Sequence, residues 1–180
     1  MRTRATTTAV TVCAALVMTA CGGPADSDPG PGATAGSTGP ATRFTGGEEA
    51  RSGGVAVKIG RVRDADEIAM EGGTERAGGK GKIVALETVV RNDTKAGMGL
   101  TCSPPFTSTL VDDRGRRYEP LAGLYGVPGN PDCDDRLRPG RKDEMLFVYR
   151  VPESAEIAAW EFAESGRKPS VVDLSGMSVL

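Results

Sequence analysis

Short stretches that alternate apolar and polar residues, separated by turn-forming residues, dominate residues 55–180 of this chain. Residues 55–62 alternate with a period of two, which is typical of a strand with one buried face. Residues 83–91 are rich in β-branched side chains and predict a central strand, which Asn92 and Asp93 end with turn chemistry. Further strands are predicted at 106–111, 117–119, 145–151, 158–163 and 171–174.

The segments between these strands favour turns and loops over helices. Residues 63–81 are charged and rich in glycine, and they predict a long loop or a poorly paired hairpin. Residues 128–135 predict another loop, and Pro139-Gly140 suits the two central positions of a type II turn. Residues 154–159 could form helical turns but are too few for a helix. Six or seven short strands without a helix predict an all-β fold, an antiparallel immunoglobulin-like β-sandwich over residues 55–180.

The N-terminus is built like an export signal that ends in a lipobox. Arg2 and Arg4 precede an apolar stretch at 9–17, and small Ala20 stands directly before Cys21. We therefore predict a lipoprotein signal peptide at residues 1–20, cleavage before Cys21 and a diacylglycerol on the Cys21 thiol. The protein would then be anchored by lipid on the extracellular face of the cell membrane. The alternatives are an ordinary secretory signal, in which Cys21 is incidental, and an uncleaved membrane anchor.

Residues 21–54 predict a disordered tether between the lipid and the sandwich. Prolines and glycines alternate in this segment, and small polar residues fill the gaps. Such a composition cannot bury enough apolar area to offset the entropy of ordering the chain. The predicted organisation is therefore a signal peptide at 1–20, a tether at 21–54 and one domain at 55–180.

Composition argues against most catalytic sites and against nucleic acid. The chain contains no histidine, which excludes Ser-His-Asp and Cys-His arrangements and most zinc sites. Its net charge is −2, whereas nucleic-acid binding needs a basic patch. We expect no enzymatic activity, no cofactor and no nucleic-acid partner. A hydrolase that pairs Glu87 with Glu161 is the enzyme alternative, although no spacing supports that pair.

Cys102 and Cys133 are the two cysteines that remain once Cys13 is removed and Cys21 is lipidated. Two spare cysteines in an exported protein most often form a disulfide, which we predict here. Two free thiols are the alternative. A redox site is a third interpretation, but there is no Cys-x-x-Cys spacing to support it.

Four stretches in a fixed order resemble a known family. They are residues 82–92, 106–118, 137–140 and 145–152, which give a strand ending in Asn, a strand leading through an Asp-Gly turn to Tyr, a Pro-Gly turn and a strand ending in Val-Pro. Over residues 55–175 the chain resembles the immunoglobulin-like, telokin-like domain of unknown function found in Gram-positive lipoproteins and related to a secreted mycobacterial immunogenic antigen. The resemblance implies a sandwich without catalytic residues. The cysteine pair and the elaborate loop 123–135 depart from the family pattern.

Two sets of residues are candidate sites. Five turn carboxylates could bind calcium if the disulfide folds loop 128–135 against the turn 112–115, and otherwise they are solvated turn formers: Asp112, Asp113, Asp132, Asp134 and Asp135. An apolar and aromatic stretch next to that loop could be an exposed contact patch for a partner, and otherwise it packs over one end of the sandwich: Tyr118, Leu121, Leu124, Tyr125 and Val127.

These observations predict a membrane-anchored, non-catalytic binding module whose loops contact an unknown ligand. The alternative is a structural or accessory subunit that docks on an envelope transporter or sensor. In both interpretations the membrane is a partner through the lipid on Cys21, and an envelope protein is the candidate second partner.

Overall fold

The computed structural model of the 180-residue chain describes residues 41–178. The predicted signal peptide, Cys21 and residues 21–40 of the predicted tether lie outside the described residues. Within residues 41–178 the structure consists of eleven strands and one 3-10 helix at Leu124–Gly126. The strands, numbered β1 to β11, are Thr42–Thr45, Glu49–Ser52, Val55–Ala65, Glu67–Met70, Gly73–Arg76, Gly81–Asn92, Phe106–Asp112, Arg117–Tyr118, Lys142–Pro152, Ile157–Glu164 and Ser170–Asp173.

Two sheets pack face to face and confirm the predicted all-β sandwich. One sheet has the order β1-β11-β10-β7-β8, and the other has the order β2-β3-β6-β9. All pairs are antiparallel except β1 with β11, which is parallel. The predicted central strand is confirmed, because β6 pairs along its length with β3 on one side and with β9 on the other.

A separate hairpin of β4 and β5 forms within residues 63–81, where a loop or a poorly paired hairpin was predicted. Gly72, with φ at 85°, takes the left-handed conformation that its tight turn requires. The hairpin packs against the core through half-buried Ile68 and Met70 and through Ala77, which directly follows it.

The predicted tether at 21–54 is wrong for residues 42–52, because β1 and β2 form there. β2 adds to the edge of one sheet against β3, with Ala50 and Ser52 pointing inward and buried. β1 adds to the edge of the other sheet beside β11. Each strand has four residues and at most two apolar side chains. These strands therefore form because they pair with the edge of a sheet, since so short a segment does not define a strand by its own composition.

The strand registers define two ends of the sandwich. At the end where the described chain begins, Thr42 lies beside Ser170 and Val55 lies beside Asn92. The two sheets are tied together here, because Ser52 Oγ accepts a hydrogen bond from Glu164 N at 3.0 Å. We call this the entry end; its connections are 53–54, 93–105, 137–141 and 165–169. The opposite end carries the connections 113–116 and 153–156.

The core between the sheets is aromatic near the entry end. Phe106 and Phe147 contact edge to face with ring centroids 6.1 Å apart, and Trp160 stacks on Phe162 at 5.0 Å. Tyr149 is fully buried, and its hydroxyl accepts a hydrogen bond from Trp160 Nε1 at 2.6 Å. Burial raises the pKa of Tyr149, so this hydroxyl stays neutral at physiological pH.

Candidate functional site

A disulfide joins the two long loops of the entry end, as predicted. The Cα atoms of Cys102 and Cys133 lie 5.2 Å apart across a sequence separation of 31. Both cysteines are exposed. Beneath them, Met98 and Leu137 exchange two backbone hydrogen bonds of 2.8 and 3.1 Å, and both side chains are buried. Loop 93–105 and the segment before the 138–141 turn are therefore held together by covalent, polar and apolar contacts.

Asn92 ties these loops to the sheet. Its Nδ2 donates to the carbonyl oxygens of Ala96 and Leu137, both at 2.7 Å. Its Oδ1 accepts from the backbone N–H of Thr94 at 2.9 Å and from Thr94 Oγ1 at 2.6 Å. The residue is fully buried, so an amide, which both donates and accepts, satisfies every polar group around it.

Asn130 covers the free edge of β9. Its Nδ2 donates to the carbonyl oxygens of Leu124 and Leu146 at 2.8 and 3.0 Å, and its Oδ1 accepts from Leu146 N at 2.6 Å. Further along the same edge, Leu121 N donates to Val148 O at 2.7 Å. Loop 119–130 thus satisfies edge groups that would otherwise be open to pairing with another strand.

A cleft of about 490 Å³ lies between loop 100–104 and loop 119–125. This volume falls in the usual range for small-ligand sites, about 300–1,000 Å³. Buried Leu100, Phe106, Leu124 and Phe147 form its apolar floor. Its rim carries Tyr125, which is 47% exposed and is the one large hydrophobic side chain exposed among residues 41–178.

Four polar residues line this apolar cleft: Thr101, Thr107, Ser108 and Glu119. Ser108 Oγ lies 3.1 Å from the Tyr149 hydroxyl. Trp160 Nε1 donates to the Tyr149 hydroxyl, and the hydroxyls of Tyr149 and Ser108 share a hydrogen bond that either can donate. Glu119 is the only charged residue among those that line the cleft. The cleft therefore suits a compact apolar body that carries a hydrogen-bonding head, with a cationic head favoured by Glu119.

The structure does not assemble the predicted calcium site. Asp112 and Asp113 lie at the opposite end, next to Glu156, whereas the other three carboxylates lie at the entry end beside the disulfide. Asp132 N donates to Asp135 Oδ2 at 3.2 Å, so the Asp135 carboxylate stabilises the backbone of its own loop. Within the described part of the chain no three Asp, Glu or Cys residues cluster as metal ligands.

Asp112 instead organises the turn that follows β7. Its oxygens accept from the backbone N–H groups of Arg114 and Arg116 at 3.0 and 2.8 Å, from Arg116 Nε at 2.6 Å and from the Tyr118 hydroxyl at 2.8 Å. Burial of the carboxylate by itself raises its pKa, but the four hydrogen bonds outweigh burial and lower the pKa to about 2. Asp112 is therefore a structural anion.

The apolar stretch near the disulfide mostly packs inward. Leu124 and Val127 are buried, so a contact patch that includes them is wrong. Tyr118 is half-buried and bound to Asp112, whereas Leu121 and Tyr125 line the cleft. The sequence indicated this region but missed Ser108, Glu119, Phe106 and Phe147, because alternation along a strand does not reveal which buried residues border a cleft.

The carboxylates of the enzyme alternative lie on different sheets. Glu87 is on β6 and pairs with Arg63 at 2.8 Å, whereas Glu161 is on β10 and pairs with Arg117 at 2.7 Å. Each is an ordinary surface ion pair, and the two do not form an acid and base couple.

Solved structures support the fold. No family model and no curated protein matches the chain. An uncharacterized β-sandwich protein from Clostridium difficile 630 is 13% identical with a TM-score of 0.53, covering 76% of this chain and 95% of that one. The secreted protein MPT63 from Mycobacterium tuberculosis is 8% identical with a TM-score of 0.56, covering 76% of this chain and 99% of that one. At these identities the similarity establishes the β-sandwich alone.

The structure has no membrane-spanning helix among residues 41–178, since none of its helices there is long and apolar enough.

Proposed function

We propose that this chain is a lipid-anchored binding module of the immunoglobulin-like family, held on the extracellular face of the cell membrane through Cys21. In this proposal the β-sandwich is a non-catalytic scaffold, and the cleft beside the disulfide recognises the ligand. The export signal and the lipobox support the location, and an exposed disulfide is the kind that persists in an oxidising compartment.

The observation that carries the proposal is the open apolar cleft with one carboxylate at its side. Phe106 and Phe147 at its floor offer aromatic surface, and Tyr125 on the rim offers more. Aromatic surface near a single anionic group favours ligands with an apolar body and a cationic or donor head. The disulfide and the Asn92 and Asn130 networks keep both walls in place, which lowers the ordering cost of binding.

Ligand-observed NMR with benzylamine, phenol and benzoate tests the cleft, because the probes share an aromatic body and differ in the charge of the head. We expect benzylamine to bind more tightly than benzoate. Ala122→Trp, at an exposed position of the cleft wall, should abolish binding. Ala69→Trp, exposed on the β4–β5 hairpin, is the matched control and should bind as the parent does.

Glu119→Gln removes the negative charge of the cleft and keeps the size of the side chain, so it tests the contribution of the charge alone. The change should reduce the preference for benzylamine over benzoate at least fivefold, while phenol binding stays within twofold. Probe binding that survives Ala122→Trp would show that the cleft is not the site.

The anchor has its own test in the intact cell. Cys21→Ser should release the protein into the medium or leave the uncut precursor, because two acyl chains are needed for stable anchoring. Membrane fractionation and intact mass measure both outcomes. A variant with unchanged fractionation and mass would contradict the lipid anchor without bearing on the cleft.

A further inference from the structure

Five basic side chains cluster at the entry end without acidic partners. All are exposed, and within residues 41–178 none has a carboxylate oxygen within 4.0 Å of its nitrogen atoms: Lys95, Arg136, Arg138, Arg141 and Lys142. Ten other Lys and Arg residues of the domain do form such ion pairs, among them Arg51 and Arg91. Five more described cations lack an ion pair as well: Arg43, Lys58, Lys80, Arg114 and Lys168. The entry-end cluster stands out by its density, because four of its five cations line one shallow depression that contains two acids, Asp135 and Asp143.

The backbone fixes the position of this cationic surface. Arg138 and Arg141 occupy the two outer positions of the Pro139-Gly140 turn, and Arg141 N donates to Arg138 O at 3.1 Å. Gly140, with φ at 73°, takes the left-handed conformation predicted for a type II turn. The turn is held against β6, because Asn92 N donates to Arg141 O at 2.9 Å. The cations therefore project from a rigid turn.

The opposite end of the sandwich carries charges of both signs, because its connections 113–116 and 153–156 together contain three acids and two arginines. The entry end also contains acids, among them Asp132 and Asp134. The cationic feature is therefore local: four cations line one depression that contains two acids. Such a local excess of positive charge attracts an anionic surface.

We propose that the cationic entry end docks on the anionic lipid headgroups of the membrane that holds the anchor. This inference rests on the lipid anchor proposed above. The described chain enters the domain at this same end, next to Thr42, and only residues 22–40 separate it from Cys21. A coil with the Gly- and Pro-rich composition of this segment is expected to span about 25 Å on average. The anchor thus keeps the cationic end near the headgroups at high effective concentration.

The expected contribution of the surface follows from its charge. Each Lys or Arg close to an anionic membrane strengthens binding about fivefold at moderate salt. The effect decays over about 8–10 Å and weakens as salt increases. Removing two of the five cations should therefore weaken membrane binding about 25-fold.

Vesicle co-sedimentation tests the surface without the lipid anchor. The probe protein is the mature chain, residues 21–180, with Cys21→Ser, and the vesicles are either phosphatidylcholine alone or phosphatidylcholine with about 30 mol% phosphatidylglycerol. We expect binding only to the anionic vesicles, and loss of binding as salt increases from about 50 to about 300 mM. Because this protein carries no acyl chain, failure of the anchor proposal and failure of the docking proposal give separate results.

A charge-matched pair of variants identifies the surface. Arg138→Ala with Arg141→Ala should lower binding to anionic vesicles about 25-fold. Lys80→Ala with Arg114→Ala removes two exposed, unpaired cations from the opposite end and should leave binding within twofold. All four side chains are exposed, and near-UV circular dichroism checks that each variant is folded. Equal weakening by both pairs, equal binding to neutral vesicles, or binding to soluble polyphosphate without binding to vesicles would overturn the proposal.

Discussion

Replacement of Asn92 by Asp is the sharpest test of how the entry end is held together. The change keeps the size and shape of the side chain and removes its two N–H donors. A carboxylate can still accept from Thr94 N, but the carbonyl oxygens of Ala96 and Leu137 lose the amide donor that each has at 2.7 Å. Their remaining donors are the Thr94 hydroxyl for Ala96 and the Met98 N–H for Leu137. It also brings a negative charge against two carbonyl oxygens.

The size of the effect follows from two lost bonds and one buried charge. The Leu137 carbonyl oxygen keeps the bond from Met98 N at 3.1 Å, and the Thr94 hydroxyl lies 2.9 Å from the Ala96 oxygen, so each lost amide bond costs about 0.5–1.5 kcal/mol. The two bonds together account for about 1–3 kcal/mol, and the negative charge at a fully buried site adds to that loss. A loss of this size is a sizeable fraction of a typical total stability of about 5–15 kcal/mol.

The loss should depend on pH, which separates it from a simple packing defect. Burial and the facing carbonyls raise the pKa of the introduced carboxyl above its unfolded value of about 3.9. A group with a raised folded pKa favours the folded state below its unfolded pKa, and this contribution is lost as pH rises through the folded pKa. The deficit of Asn92→Asp relative to the parent should therefore be complete near neutrality and shrink as pH falls toward about 4.

Urea unfolding of the mature chain with its disulfide intact, at neutral pH and near pH 4, measures the free energy of unfolding of parent and variant. Asn130→Asp is the control, because its carboxylate would still accept from Leu146 N and its site is only partly buried, so a smaller loss is expected. The argument fails if Asn92→Asp unfolds within about 0.5 kcal/mol of the parent at neutral pH, since surface changes fall in that range. It also fails if the deficit does not change with pH.

Two further predictions concern the disulfide and the turn after β7. Replacing Cys102 and Cys133 together by Ser removes a cross-link between residues 31 positions apart, which should lower the free energy of unfolding by about 3–4 kcal/mol and the Tm by about 10–15 °C. Calorimetry measures both quantities, and a Tm within about 2 °C of the parent would refute the estimate. The pKa of Asp112 is lowered to about 2, below its unfolded value of about 3.9, so its stabilising contribution is present above about pH 4 and is lost as pH falls toward 2. Asp112→Asn should therefore flatten the loss of Tm between pH 4 and pH 2, and an unchanged slope would contradict the assignment.

The sequence predicts the strands whose own residues favour β-structure, and it misses the strands that form only by pairing with a sheet edge. Twelve-residue β6 is apolar and β-branched along most of its length, so it could be placed before its partners were known. β1 and β2 have four residues each and exist because two sheet edges accept them. Their sequences, TRFT and EARS, each contain one apolar residue and are too short to show an alternating pattern, so the sequence does not separate them from the tether.

The calcium prediction fails for a reason that the sequence already contained. Cys102 is close to Phe106, where β7 begins, and Asp112 is the last residue of that strand. Seven extended residues span about 23 Å, so a disulfide at the start of β7 cannot bring loop 128–135 to the turn at its end. The disulfide prediction and the calcium prediction were therefore incompatible, and strand direction decides between them.

The cleft could not be predicted from the sequence, although its exposed aromatic residue, Tyr125, was among the candidate residues. Tyr125 belongs to an apolar stretch that the sequence shows, but the opposite wall comes from loop 100–104 and the floor comes from β7 and β9. Those segments are far apart in the chain and meet only through the packing of two sheets. Ser108 looks like any strand serine until its hydrogen bond to Tyr149 is known.

The charges of the entry end are better explained by an external surface than by folding. Exposed ion pairs contribute about 0–1 kcal/mol, and unpaired cations held close together repel one another. The turn itself requires only Pro139 and Gly140, with Leu137 buried beneath it, so its fold does not need Arg136, Arg138, Arg141 or Lys142. A cluster that costs a little stability and satisfies no group of its own domain indicates a partner of opposite charge, and the surface nearest to the point of chain entry is the membrane of the proposed anchor. If Arg138→Ala with Arg141→Ala raises the Tm while weakening binding to anionic vesicles, both halves of that argument hold; a lower Tm would assign the cations to folding instead.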